Sequence, residues 1–146
     1  MSEKHLVESL KSLLKEQKLA VLASIHEDVP YTNLVGFVAT DDLKYIFFVT
    51  PVATRKYCYL ITSQKASMMI DNRSNNESDF KDAMAVNATG KVMEAEKTDE
   101  LKDLYLEKHP YLHDFLLSPS SALMRMEVKS YIVASKFQNV VEIDMS

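Results

Sequence analysis

The chain has 146 residues, 47% of them hydrophobic and 26% charged, and carries a formal charge of −4 at pH 7. That is the size of one domain with a sizeable core, and the acidic balance argues against a protein that coats nucleic acid while leaving room for a local basic site. No apolar run approaches the roughly 20 residues that cross a bilayer. The N-terminus reads as no secretory signal, and the lone Cys58 forms neither an intramolecular disulfide nor a cysteine zinc cluster, so a cytoplasmic location is expected.

Ser2 precedes Glu3, and Leu6, Leu10, Leu13 and Leu14 then recur at helical spacing, which predicts an amphipathic first helix. Leu19–Ile25 is a short apolar run fit for a buried strand, and residues 26–30 (HEDVP) interrupt it as a turn. Tyr31–Ala39 and Lys44–Thr50 are rich in β-branched and aromatic residues, as a strand–turn–strand meander requires. Pro51 ends that strand. Thr54 to Gln64 reads as a short helix, with Thr54 as N-cap and Tyr57, Leu60 and Ile61 on one face.

Ala66–Asp71 is a fourth strand, followed by the polar, Asn-rich Asn72–Asp82, expected to be an exposed, mobile loop. Ala83–Glu96 is long for one strand, and Gly90 near its middle predicts a bulge or bend. Thr98 caps a helix carrying Leu101, Leu104, Tyr105 and Leu106, broken at His109–Pro110 and resumed over Tyr111–Leu117. Ala122–Ala134 and Val140–Asp144 close the chain as strands. Short turns make successive strands antiparallel, and a barrel removes their exposed edges. With only two glycines, Asn and Asp are expected to supply most of the turn chemistry.

Lys44–Leu60, KYIFFVTPVATRKYCYL, carries the chemistry. A strand runs into a helix whose first turn holds Arg55 and Lys56, where the helix dipole disfavours cations unless an anion accompanies them. Free backbone N–H groups, the Thr54 hydroxyl and two basic side chains make a phosphate site; the alternative is that both cations simply project into water.

This segment, extended through SQKASMMID, resembles the FMN-binding core of the pyridoxamine 5′-phosphate oxidase-like split-barrel proteins. The resemblance reaches upstream through LAVLASIHEDVPYTNLVGFVA and downstream through ATGKVMEAE and ALMRMEVKSYIVASKF, covering most of the chain from Lys18 onward. It implies an α+β fold, a six-stranded antiparallel split β-barrel with short flanking helices, as one FMN-binding domain over residues 1–146. It further implies a homodimer with FMN at the subunit interface, served by a small-molecule electron donor or acceptor.

Carried over residue by residue, the resemblance puts Thr54, Arg55 and Lys56 at the FMN phosphate. Val49 and Thr50 fall beside the ribityl chain and ring, and the backbone of Thr32, Asn33, Leu34 and Val35 faces the isoalloxazine. Ordinary strand core also explains those four. Family members often reach the flavin from the partner subunit with an amide on the fifth strand. Ala85 stands near that position here, and Asn87, on the same face, is the substitute. The sequence given ends at VVEIDMS and lacks the Trp-containing and Arg/His-containing segment of the oxidases proper, which argues against vitamin B6 oxidation.

His109 and His113 stand four apart, near metal-binding spacing, but Pro110 lies between them and no third ligand is evident. The Lys108–His109–Pro110 turn resembles haem-handling relatives of the barrel, which makes either histidine an axial candidate in a minor haem reading. Cys58 is expected to be a buried, inert thiol, and the Met68–Met69 and Met124–Met126 stretches core or interface packing. The leading expectation is an FMN-dependent oxidoreductase without a nameable catalytic acid or base. The alternatives are a non-catalytic flavin or haem carrier, and a cofactor-free dimeric binding module.

Overall fold

A computed structural model describes residues 3–136 and 139–146; Ser2, read as the opening of the first helix, lies outside the described residues. Helix α1 (Glu3–Glu16) buries Leu6, Leu10, Leu13 and Leu14, the stripe read from the sequence. Strands β1 (Leu19–His26) and β2 (Val29–Ala39) form a hairpin, followed by β3 (Tyr45–Pro51), helix α2 (Arg55–Ser63) and β4 (Lys65–Asp71). A short helix α3 (Asp79–Asp82) precedes β5 (Ala85–Ala95) and α4 (Asp99–Lys108). A 3-10 turn over Pro110–Leu112 leads into α5 (His113–Leu117), β6 (Ser121–Ser135) and β7 (Asn139–Asp144).

The strand order is β3-β2-β1-β4-β5-β6-β7, every neighbouring pair is antiparallel, and β3 also pairs with β6. That pairing closes six strands into a barrel and leaves β7 outside. The length of β6 explains both facts. Its first half, Ser121–Glu127, pairs with β3, and its second half, Ser130–Ser135, extends past β3 and takes β7 as its partner. The expected α+β fold with a six-stranded antiparallel barrel and short helices is what the chain forms.

Alternation sorts the side chains. Leu22, Val35, Phe37, Ile46, Phe48, Met68, Ile70, Val86, Met124 and Met126 fill the barrel, joined by the α1 leucines and by Leu60 of α2. A second cluster lies outside it, where Val38, Phe47, Val49 and Leu123 pack under Tyr105 of α4 and Leu116 of α5. The register of β5 against β6 shifts between Thr89 and Gly90, as the sequence predicted. A Cβ on Gly90 would lie 2.1 Å from the backbone oxygen of Glu127, so only glycine fits this bulge.

Four expectations need correction. The β1–β2 turn is two residues, Glu27 and Asp28, both at positive φ, so β2 begins at Val29 rather than Tyr31. Turn chemistry does not rest mainly on Asn and Asp: besides Asp28 and Asn75, positive φ falls on Glu27, Leu43, Gln64 and Lys136. The Asn72–Asp82 segment is exposed as expected but is not all loop: it ends in α3, and the Asp79 carboxylate accepts from the backbone N–H groups of Ser74, Asn75 and Asn76 at 2.7–3.1 Å. Cys58 is exposed rather than buried, and Ile61 is 51% exposed. Helix α2 turns Leu60 into the barrel, and that rotation carries Cys58 and Ile61 to the outside.

Candidate functional site

The end of β3 and the start of α2 form one polar corner. Thr50 is fully buried, and its hydroxyl lies 3.3 Å from that of Thr54. Thr54 has extended backbone (φ −131°, ψ 157°) and caps α2: its Oγ1 accepts from the Tyr57 N–H at 3.3 Å and donates to the Pro51 carbonyl at 2.8 Å. The hydroxyl is thereby committed to holding the helix start. What remains for an anion are the N–H groups of Arg55 and Lys56, which have no partner among the described residues, and the two basic side chains.

Arg55 is exposed and Lys56 half-buried. No carboxylate pairs with either among the described residues. Burial holds the Lys56 ammonium below the ordinary lysine range, so this cation loses hydration without gaining a partner. An anion seated at the helix start would relieve that cost and complement the dipole. A phosphate group fits this donor set.

Beside the corner, β2 has an open edge. Its pairing with β3 covers only Phe37–Ala39. Continued register would set Val35 opposite Thr50, but the strands part there. The Phe37 N–H bonds to the Lys18 carbonyl across the hairpin, so by alternation the backbone groups of Thr32 and Leu34 point away from β1, toward the gap. The Val35 side chain fills the barrel and Val49 the second cluster, so each can present only backbone to a ligand. Leu34 is 64% exposed. Asn33 is half-buried, with an Oδ1 that has no hydrogen-bond partner.

Thr32–Val35, Val49, Thr50 and Thr54–Lys56 therefore cluster where β2 and β3 part, whereas Asn87 does not. Thr50 pairs with Ala122 and Asn87 with Ile132 on the same strand β6. That places them roughly 30 Å apart along it at about 3.3 Å per residue. Asn87 instead shares the barrel's outer face with Val21, Met69 and Ile132 in one lateral row that starts at Leu34. A concavity of about 940 Å³, walled by Ile25, Lys65, Ser67, Thr89 and Lys91, touches none of the candidate cofactor-binding residues read from the sequence. The corner is the cleft left where β2 and β3 part.

A family model described as pyridoxamine 5′-phosphate oxidase matches residues 6–132. The chain belongs to the pyridoxamine 5′-phosphate oxidase family. Solved structures share this family member's fold at low identity. A haem binding protein from Mycobacterium smegmatis superposes with a TM-score of 0.82 at 13% identity, over 94% of this chain and 57% of that one. General Stress Protein 26 from Bacillus anthracis str. Sterne gives 0.75 at 15%, over 97% and 99%. An FAD-binding protein from Mesorhizobium loti gives 0.69 at 11%, over 91% and 94%. The chain spans little more than half the length of the Mycobacterium protein. A search of curated proteins finds no match.

In this family member the two histidines part company. His109 is buried, with Nε2 2.8 Å from the Phe37 carbonyl, while His113 is exposed beside Asp114 at 3.2 Å. They share no ligand position. Tyr105, read from the sequence as one more apolar helix residue, donates its hydroxyl to the Gly36 carbonyl at 3.1 Å. The signal for this contact was Gly36 itself, a glycine inside a strand pattern, which marks close approach by another group. No helix among the described residues is long and apolar enough to cross a membrane.

Proposed function

We propose that this chain binds FMN between two copies of itself and works as a flavin-dependent oxidoreductase. The observation that carries the reading is the pair Arg55 and Lys56, unpartnered cations at the first turn of α2, beside a β2 edge whose backbone groups are unpaired by β3. The cations and the N–H groups of α2 bind and orient the phosphate end. The Thr32–Val35 edge offers alternating backbone donors and acceptors to a planar heterocycle, with Leu34 as an apolar wall. A bound flavin supplies hydride or electron transfer, and the protein contributes binding and orientation. A soluble cytoplasmic setting accords with this role.

The printed description of the Mesorhizobium protein as FAD-binding supports a flavin on this fold, and that of the Mycobacterium protein supports haem as the second reading. Haem is the weaker of the two for this chain. Of its two axial candidates, His109 is buried and already holds the Phe37 carbonyl, and His113 lies exposed beside Asp114. Absorbance of the purified protein, before and after incubation with FMN and removal of free ligand, separates the cases. Retained bands near about 375 and 450 nm are expected. A Soret band, or no retained chromophore, would sink the flavin reading.

A further inference from the structure

Where β3 leaves β2, another element holds the strand from both sides. The Gly36 carbonyl, on the side that β3 vacates, accepts from the Tyr105 hydroxyl at 3.1 Å; the Phe37 carbonyl, which alternation turns to the β1 side just beyond Leu19, is held by His109 Nε2 at 2.8 Å. Both side chains come from α4 and its C-cap, and both residues are 1% exposed. Their rings lie 4.9 Å apart, so they act as one packed unit. Gly36 makes the approach possible: a Cβ there would stand 3.3 Å from the Tyr105 hydroxyl and 3.4 Å from His109 Cε1.

The polar bookkeeping around His109 fixes its state. A carbonyl can only accept, so Nε2 carries the proton that binds Phe37. The other nitrogen, Nδ1, is buried and has no partner. A proton there would have no acceptor, so the clamp is built around neutral imidazole. The Tyr105 hydroxyl is likewise kept protonated by burial.

We infer that Tyr105 and His109 are positioning residues: they clamp β2 where β3 leaves it, Tyr105 on the open edge and His109 on the β1 side, and thereby fix the Thr32–Val35 backbone that faces the flavin. The inference rests on the flavin reading of that edge. Neither residue touches the ligand; each acts through a β2 carbonyl. Upstream of Gly36 the strand is paired on one side only, by β1, so without the clamp at its end it would be free to shift as an edge strand.

The test uses the full chain as wild type, Tyr105→Phe, His109→Phe and His109→Gln. Tyr105→Phe keeps the ring and loses the donor, whereas glutamine at 109 retains an N–H donor. Hydrogen exchange without flavin is read on peptides covering 32–36, with β4–β5 peptides as the internal control for global stability. Expected is acceleration of about tenfold or more over 32–36 in the two Phe variants, unchanged control peptides, and near wild-type exchange in His109→Gln. FMN affinity should fall by about tenfold in the same two variants, with a shifted 450 nm band and recovery in His109→Gln. Unchanged exchange in the Phe variants would overturn the clamp. Accelerated exchange with unchanged FMN affinity and spectrum would overturn its role toward the flavin. Wild type that retains no FMN would overturn that role through the flavin reading itself, while the exchange data still decide whether the edge is clamped.

Discussion

At the scale of single residues, the corner at Arg55 and Lys56 is the place where electrostatics and function meet most directly. Neither has a carboxylate partner among the described residues, and burial already disfavours the charge on Lys56. Replacing both by alanine should therefore leave the fold intact and lower FMN affinity by at least about tenfold, or about 1.4 kcal/mol, in equilibrium titration. Unchanged affinity would remove them from the site. His109 makes the second residue-scale prediction. Burial, set against the Phe37 hydrogen bond and aided by the facing cations Lys108 and Lys18, lowers its pKa below 6.5; the rings of Tyr105 and Tyr111 are its aromatic neighbours. Between the folded value and 6.5 the unfolded chain holds a proton that the folded chain does not. Stability from this group is thus complete above 6.5 and lost as the pH falls below it. Denaturant titrations across pH 5–8 should show wild type losing more stability at the acid end than His109→Gln; parallel curves would refute the assignment. The two residues differ in legibility. The Arg55–Lys56 pair stood out because cations at a helix start conflict with a local rule. The role of His109 depends on a carbonyl 72 positions away, which no local pattern encodes.

At the scale of elements, α2 shows what the sequence can and cannot specify. Its start was legible: Thr54 has the hydroxyl an N-cap needs, and its Oγ1 takes the Tyr57 N–H. Its end was only partly so. Gln64 closes the helix in the left-handed region at φ 64°, where its N–H bonds to the Leu60 carbonyl and its own carbonyl accepts from Val92. An L side chain in that conformation carries a steric cost that glycine avoids. Gln64→Gly should therefore raise stability by roughly 0.5–1 kcal/mol, read as a shifted denaturation midpoint at constant slope. A loss would show that the Gln64 side chain contributes packing worth more than the strain. The outward faces of α2 were misread for a physical reason. Tyr57, Leu60 and Ile61 share a helical side, but the helix contributes only Leu60 as a fully buried residue, and the barrel mouth decides which. Strands read more faithfully, because alternation with β-branched and aromatic residues survives docking unchanged. The closure of β3 on β6 is different in kind. It joins residues such as Thr50 and Ala122 through a register that only the assembled barrel defines.

At the scale of the whole molecule, the question is what covers the outer face of the barrel. Leu34 is 64% exposed, Ile25 45%, Leu19 57% and Ile132 37%, all on one sheet surface rather than scattered. Leu34 begins the lateral row that runs through Val21, Met69 and Asn87 to Ile132. A single chain separates Asn87 from the Arg55–Lys56 corner, and a two-fold pairing of this face is one operation that can bring one chain's amide to the other chain's cleft. Leu34→Glu tests this economically. The side chain adds nothing to the barrel interior, so the monomer fold should persist, while a carboxylate placed in an apolar interface must be desolvated or excluded. The expected result is a shift from dimer to monomer in light scattering together with loss of retained FMN, at an unchanged circular dichroism spectrum. A monomer that still retains FMN would show that one chain completes the site and that Asn87 has no part in it. A dimer that persists with FMN bound would place the interface on another face. A dimer that loses FMN would confine the effect of Leu34 to the ligand, making it a wall of the cleft rather than a seam between chains.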